Sequence, residues 1–196
     1  MKNLLITLLA FAVSHIAYAN VSPDLGAPAG GTPYDRYMTP VKNVLIQLGR
    51  DEASMERVRE LMRVGRNSRY SFTTPYTAAT PETTAATHAG DCKAKALWLA
   101  DQLNDSSVRF VIGKARSSSR ISHAWLMWQH DSRWWILDCT NMREPIPADR
   151  VSTSEYIPFY SFSKEGTYRH RATATLYADA VAGSRNAPVA SLKDQR

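Results

Sequence analysis

The stretch GDCKAKALWLADQL, residues 90–103, decides the fold. Its apolar side chains recur at helical spacing, at Ala96, Leu97, Ala100 and Leu103. Gly90 precedes this pattern, which predicts a helix over residues 91–103. Cys92 then lies in the first turn, where free N–H groups and the positive end of the helix dipole favour a charged thiolate and can bind an oxyanion. Cys92 is therefore a candidate nucleophile.

A thiol nucleophile needs a base, and the base needs a group that orients it. Two predicted strands, over residues 121–129 and 133–140, supply both groups. With His130-Asp131 as a two-residue turn, the numbers of paired residues sum to 261, so His123 lies directly opposite Asp138. We expect the Asp138 carboxylate to orient the His123 imidazole.

Strand alternation predicts which side chains share a face with this pair. The residues expected beside them are Trp125, Met127, Trp134 and Ile136. Cys139 follows Asp138 directly and so points to the opposite face. Two cysteines in an exported protein also suggest a disulfide. Because Cys139 points away from the face that carries His123 and Asp138, we favour a free, buried Cys139 over a Cys92–Cys139 bridge.

The composition is that of a globular domain. The 196 residues include 24 Lys+Arg and 18 Asp+Glu, a formal charge of +6, with 44% hydrophobic residues. Two cysteines exclude a disulfide-dense scaffold and a four-cysteine zinc site. Arg59, Arg63 and Arg66 fall on one helical face, which we interpret as solvated, with Glu56 and Glu60 as partners. We expect no nucleic-acid partner.

The N-terminus has the pattern of a secretory signal peptide over residues 1–19. Lys2 precedes an apolar run over residues 4–16, and Ala17-Tyr18-Ala19 has the form of a cleavage site. The apolar run is too short to span a bilayer comfortably. We therefore expect a periplasmic or secreted protein that is not an integral membrane protein after cleavage.

The remaining chain divides by composition. Residues 20–40 are rich in Gly and Pro, which predicts a flexible leader draped over the domain. The domain itself is expected over residues 41–182, followed by a flexible tail over 183–196. Within the domain, residues 41–69 have a helical pattern, and residues 70–87 are expected to be extended and to lead into a loop. Further strands are predicted at 108–115 and 156–162, and residues 171–182 fit either strand or helix.

Three motifs resemble those of the transglutaminase-like superfamily: Gly90-Asp91-Cys92, Ser122-His123-Ala124-Trp125 and Ile136-Leu137-Asp138. Segments 67–70, 80–83 and 156–161 are similar to its bacterial transglutaminase-like cysteine proteinase branch. The resemblance covers about residues 41–168. It implies an α+β, papain-like fold in which the nucleophile helix packs on an antiparallel sheet.

The resemblance also implies roles for individual residues. Cys92 would be the nucleophile, His123 the base and acid, and Asp138 the orienting carboxylate. The substrate would be a protein or peptide, such as a cell-surface protein. In the branch that cleaves bacterial adhesins, two acidic residues flank the cysteine and are implicated in calcium binding. Here Asp91 precedes Cys92 but Lys93 follows it, and one carboxylate beside a cation is a poor site for a hard dication, so we expect no cofactor.

The function that these residues favour is an exported cysteine peptidase, a hydrolase that cleaves a peptide amide through a thioester. A transglutaminase or amidase would use the same triad and differ in the second nucleophile. A zinc site of His88, Cys92, His123 and Asp138 is a third interpretation, although its spacing matches no common zinc motif. A non-catalytic binding module on the same fold is the fourth, and an intact triad argues against it.

Overall fold

The computed structural model describes residues 22–49, 52–74 and 76–173. The strands in this part are β1 (Ala27–Pro28), β2 (Arg69–Tyr70), β3 (Ala89–Gly90), β4 (Val108–Arg116), β5 (His123–His130), β6 (Arg133–Leu137), β7 (Ile146–Pro147), β8 (Glu155–Phe162) and β9 (Thr167–Arg169). The helices are α1 (Thr39–Gln47), α2 (Met55–Asn67), α3 (Pro81–Thr87) and α4 (Cys92–Leu103), with short 3-10 turns at Asp35–Tyr37 and Ala148–Arg150.

Helix α4 forms where the sequence predicts it. Asp91 is its N-cap, and the Asp91 side chain accepts the N–H of Ala94. The helix ends at Asn104, which adopts a left-handed conformation with φ of 51°. Its predicted apolar residues are all buried. Cys92 is therefore the first residue of a helix whose body lies in the core.

A seven-stranded antiparallel sheet packs against this helix. Its strand order is β1-β9-β8-β4-β5-β6-β7, and β2 and β3 form a separate parallel pair. The main core lies between the sheet and helices α1, α2 and α4, with Trp128, Phe110, Leu97 and Leu45 among its fully buried side chains. A smaller cluster on the other sheet face contains the predicted neighbours Trp125, Met127 and Ile136. The fold is thus α+β, with the nucleophile helix packed on an antiparallel sheet.

The turn of the β5–β6 hairpin differs from the prediction. His130 pairs with Arg133, so the turn residues are Asp131 and Ser132, and paired numbers sum to 263. Both turn residues have positive φ, 49° and 60°, as a tight two-residue hairpin requires. His130 instead continues β5 and stacks on Trp128 with ring centroids 4.4 Å apart. The predicted direct pairing of His123 with Asp138 is therefore wrong.

The face assignment is nevertheless correct. The predicted register, with a sum of 261, and the observed register, with a sum of 263, differ by two residues. Because side chains alternate between the two sheet faces with a period of two, each residue keeps its predicted face. The β5–β6 ladder ends at the pair Leu126 and Leu137. Asp138 thus lies just beyond the ladder, on the face of His123 and diagonal to it.

The described part of the predicted leader is not featureless. Ala27 and Pro28 pair with Arg169 and Tyr168 of β9, and Met38 is buried before α1 begins. The Arg109 guanidinium also donates to the carbonyl of Leu25 at 2.7 Å. These contacts explain how a segment rich in Gly and Pro becomes a sheet edge. The predicted signal peptide, the predicted tail over 183–196 and most of residues 171–182 lie outside the described residues.

Two further expectations need correction. Residues 81–87 form α3 and no loop, because Thr80 caps its N-terminus and Pro81 suits the first helical position. Arg59 and Arg63 do not use Glu56 or Glu60; both contact Glu144, at 3.2 and 2.6 Å. The face remains solvated, as predicted, but its acidic partner, Glu144, comes from a distant part of the sequence. None of the described helices has the length and apolar character to cross a bilayer.

Candidate active site

His123 and Asp138 form the centre of the candidate active site. His123 Nε2 lies 2.8 Å from Asp138 Oδ2, and the two side chains are 12% and 1% exposed. His123 is the first residue of β5, so its ring lies at the end of the sheet, and it stacks on Trp125 with centroids 6.1 Å apart. The pair meets through the diagonal arrangement that the hairpin register produces.

Cys92 completes the group. It is half-buried at the start of α4, and its thiol is near enough to the His123 imidazole to raise the pKa of that ring. Because Asp138 engages Nε2, Nδ1 is the ring nitrogen left for the thiol proton. The structure thus brings together the three side chains singled out from the sequence.

The electrostatics favour a charged imidazole. Burial opposes the charge on His123, but hydrogen bonds to Asp138 and Cys92 and the negative charges of both groups outweigh it and raise the pKa to about 9. The pKa of Asp138 is lowered: burial opposes this, and hydrogen bonds from His123, Asn141 and Tyr156 together with the His123 charge outweigh it. The site can therefore hold an imidazolium at neutral pH.

A polar shell that sequence reasoning missed surrounds Asp138. Asn141 Nδ2 donates to Asp138 Oδ2 at 2.7 Å and lies 3.2 Å from His123 Nε2. The Tyr156 hydroxyl donates to the same oxygen at 2.9 Å, and the N–H of Thr140 donates to Oδ1 at 3.1 Å. The turn after an Asp at a strand end is a signal that could have identified Asn141, since such side chains accept from N–H groups two and three residues on.

Cys139 is separate from this site. Both cysteines are free; Cys139 is buried in the main core, and its thiol donates to the carbonyl of Lys95 at 3.6 Å. Burial, with the nearby Asp138 charge, raises the pKa of Cys139 to about 12. Gly65 packs so closely that a Cβ there would lie 2.8 Å from the Cys139 sulfur. Cys139 is therefore a core residue with an inert thiol.

The described residues do not form the zinc site considered above. His88 is an exposed residue that ends α3 in a left-handed conformation, with φ of 47°. Within residues 22–49, 52–74 and 76–173, no three His, Cys, Asp or Glu side chains gather as a metal site would need.

Asp91, the acidic residue before Cys92, already has other partners. Asp91 Oδ1 caps α4, while Oδ2 accepts the Thr73 hydroxyl at 2.8 Å and forms an ion pair with buried Lys93. A calcium ion takes six to eight oxygen ligands, and here it would meet an ammonium group. The residues present do not fit calcium.

Comparison with solved structures identifies the fold. LapG of Legionella pneumophila matches with a TM-score of 0.51 and 16% identity, over 79% of this chain and 90% of that one. Its calcium-bound form matches at 0.49, with 16% identity, over 71% and 81% of the two chains. A candidate cysteine protease of Cytophaga hutchinsonii matches at 0.40, with 19% identity, over 58% and 43%. No family model and no curated protein matches the chain.

The match to LapG with a TM-score of 0.51 supports the conclusion about the fold. The chain has a papain-like, transglutaminase-like fold, the fold of LapG, as the sequence motifs imply. This fold is peptidase-like, and at 16% identity the likeness concerns architecture alone. The chemistry has to be argued from the site.

Proposed function

We propose that the protein is an exported cysteine peptidase that cleaves a peptide amide with Cys92, His123 and Asp138. The observation that carries the proposal is the arrangement of three side chains: a thiol at a helix start that acts on the pKa of an imidazole, and an imidazole Nε2 that lies 2.8 Å from a buried carboxylate. A nucleophile, a base and a group that orients the base are the three parts of covalent amide hydrolysis. The signal-peptide pattern of residues 1–19 supports export.

The first half of the reaction acylates Cys92. The thiol proton passes to His123 Nδ1, and the thiolate attacks the substrate carbonyl carbon to form a tetrahedral intermediate. Backbone N–H groups at the very start of α4, before that of Ala94, which Asp91 accepts, would stabilise the developing oxyanion. His123 then gives its proton to the nitrogen of the departing amine, the C–N bond breaks, and a thioester remains on Cys92.

The second half regenerates the enzyme. His123 takes a proton from water, the resulting hydroxide attacks the thioester carbon, and the C–S bond breaks to release a carboxylate-bearing product and the Cys92 thiolate. Asp138 stays ionised throughout, because its hydrogen bonds keep its pKa low, and it stabilises the imidazolium in each half. An amine in place of water would give transfer with the same residues.

The test compares the two cysteines. Cys92→Ala should lower cleavage of an unstructured, fluorescently quenched protein substrate by at least about a thousandfold, whereas Cys139→Ala should keep turnover within about tenfold. Turnover that survives Cys92→Ala would refute the assignment. A fluorescent primary amine added to the same assay distinguishes transfer, which incorporates the label, from hydrolysis.

A second readout does not depend on finding a substrate. Iodoacetamide at pH 6 should alkylate Cys92 in the native protein and leave buried Cys139 unmodified, as detected by peptide mass spectrometry. His123→Ala should slow the alkylation of Cys92 at least about tenfold, because the imidazolium that supports the thiolate is lost. An unchanged alkylation rate in His123→Ala would contradict the Cys92–His123 pairing.

A further inference from the structure

The ammonium group of Lys93 occupies a built pocket beside the nucleophile. Its side chain is only 3% exposed and forms an ion pair with Asp91 Oδ2. Its other two acceptors belong to Thr73, whose carbonyl and hydroxyl oxygens each lie 3.4 Å away. An ammonium group has three N–H donors, and the pocket offers three acceptors. The pocket thus matches the chemistry of a lysine head group.

Two aromatic rings complete this enclosure. The Lys93 nitrogen lies 5.5 Å from the ring centre of Phe72 and 5.2 Å from that of Tyr76, distances at which a ring attracts a cation. Asp91 itself is fully buried, so its charge would be costly without a partner. Lys93 therefore neutralises Asp91 from inside the protein.

The pocket joins two parts of the candidate active site. Residues 68–74 and 76, the cleft segment, run alongside the residues that lead into Cys92: β2 pairs with β3, and the N–H of Ser71 donates to the carbonyl of Gly90 at 3.2 Å. Lys95, also buried, donates to the carbonyl of Ser68 at 2.6 Å. At the other end of the segment, Asp91 Oδ2 accepts the N–H and the hydroxyl of Thr73 at 3.2 and 2.8 Å, and Lys93 binds the same carboxylate oxygen and both oxygens of Thr73, so that Lys93 adds to this attachment.

The cleft segment runs close to Cys92, because Tyr70 pairs with Gly90, two residues before Cys92. Burial, followed by the negative charge of Cys92, also raises the pKa of both Tyr70 and Tyr76. The exposed rings of Tyr70 and Phe72 also belong to this segment. A change in the attachment of the segment at Thr73 would therefore alter the surroundings of Cys92.

A divalent ion could join Thr73 to Asp91 in the same way only if other side chains supplied further ligands. The oxygens that face Lys93 are Asp91 Oδ2 and the two oxygens of Thr73, because Asp91 Oδ1 is used by the N–H of Ala94. Three oxygens and one negative charge, already balanced by an ammonium, fall short of what calcium requires. Lys93→Asp would reverse this balance, because it removes the ammonium and adds a second carboxylate beside that of Asp91.

We propose that Lys93 is a positioning residue whose tethered ammonium takes the place of a divalent cation, joining the cleft segment to the start of α4 and making the active site independent of calcium. The inference rests on the proposed function only in that the joined segment borders Cys92. Lys93 touches neither substrate nor the reacting atoms in this role.

The first experiment measures the calcium response of the full-length protein. The melting temperature and the rate of Cys92 alkylation by iodoacetamide should be the same in 5 mM EGTA and in roughly 5 mM CaCl2, concentrations that bracket weak and tight calcium sites. A melting temperature that rises with calcium and saturates would overturn the proposal.

The second experiment exchanges the cation. Lys93→Asp should melt roughly 10 °C lower than the wild type in EGTA, since buried Asp91 loses its partner, and should recover most of this loss in CaCl2. Lys93→Asn, which adds an oxygen ligand without a charge, should recover less. Lys93→Met should melt lower in both conditions without any calcium response, and Lys42→Met is the control for loss of an exposed lysine charge. A Lys93→Asp protein that ignores calcium, or a Lys93→Met protein with wild-type melting and alkylation, would refute the role.

These readouts separate the two proposals. If Cys92 were not a catalytic nucleophile, protein cleavage would be absent in every variant, but the calcium responses of melting temperature would still follow the pattern above. If Lys93 were an ordinary core lysine, cleavage by the wild type would remain, and Lys93→Asp would gain no response to calcium. Calcium titration calorimetry on Lys93→Asp and on the wild type provides the direct binding measurement.

Discussion

His123 owes its chemistry to two neighbours on different elements. Asp138 and Cys92 both stabilise the positive ring, and they do so against the cost of burying it. Neither neighbour is close to His123 in the sequence, and the loop residue Asn141 and Tyr156 of β8 hold Asp138 in turn. The protonation state of the site is thus a property of four separate chain segments.

The pKa of His123 provides a direct test at this scale. The ring should titrate near 9 in the wild type, and Asp138→Asn should lower this pKa to about 6.5 or below, since burial remains while the carboxylate charge is lost. The measurement is the pH dependence of the His123 ring proton shifts by NMR. Asp131→Asn is a matched control, because Asp131 is exposed beside His130 and should leave His123 unchanged. A wild-type pKa below 7 would contradict the described geometry.

At the scale of elements, the β5–β6 hairpin explains how far the sequence could predict the site. Alternation correctly assigned His123 and Asp138 to one face, because it depends only on parity. The turn was predicted wrongly because His130-Asp131 and Asp131-Ser132 look alike as polar pairs, and the positive φ of both turn residues decides between them.

The residues at the start of α4 could be predicted because their signals are local in the sequence. Cys92 follows directly from the helical spacing behind it, and the N-cap at Asp91 is a local signal. The contacts of Lys93 and Tyr156 could not be predicted, because they depend on how the cleft segment and β8 fold back on α4 and β5. The leader was predicted as flexible because the edge of β9, which binds Ala27 and Pro28, lies about 140 residues away in the sequence.

At Gly113 of β4, a side chain would collide with the backbone of β8. Gly113 pairs with His123, and a Cβ there would lie 2.1 Å from the carbonyl oxygen of Ile157 and 2.7 Å from the Trp125 ring. Gly113→Ala should therefore destabilise the protein by about 1–3 kcal/mol and lower the rate of Cys92 alkylation, because β5 must shift. Urea unfolding and alkylation measure the two effects.

Gly30→Ala is the matched control for Gly113→Ala, since nothing lies within 4 Å of a Cβ at Gly30. It should change the free energy of unfolding by less than about 0.5 kcal/mol and leave alkylation unchanged. Equal stability of the two variants would show that the strand spacing at Gly113 is looser than described.

For the whole molecule, two buried histidines shape the dependence of stability on pH. The folded-state pKa of His123 is raised, so its contribution is complete below about pH 6.5 and is lost as pH rises through about 9. Burial is the main cause that lowers the pKa of His170. The charge of Asp24 raises this pKa, and the charge of Arg109 lowers it further. The folded protein keeps this ring neutral. The free energy of unfolding therefore decreases as pH falls below 6.5, because the unfolded state then binds a proton more readily than the folded state.

The free energy of unfolding should therefore be largest near pH 6.5, because it falls on the acid side through His170 and on the alkaline side through His123. Urea unfolding of the wild type at several pH values should show a decrease of about 3 kcal/mol from pH 6.5 to above pH 9 through His123. His170→Gln should flatten the acid side only, since Gln can still bond to Ser161, which lies 2.8 Å from the His170 ring. An acid side that is unchanged in His170→Gln would contradict the assignment.

Asp24 also brings together the two ends of the described chain. Its carboxylate accepts the N–H of Arg171 at 2.8 Å, close to where β1 pairs with β9 at the edge of the sheet. A mechanical force that pulled residues 22 and 173 apart would therefore act first on this corner and would peel strands away one hydrogen bond at a time. The hairpin that carries His123 lies on the other side of β4 and would be shielded from the first ruptures.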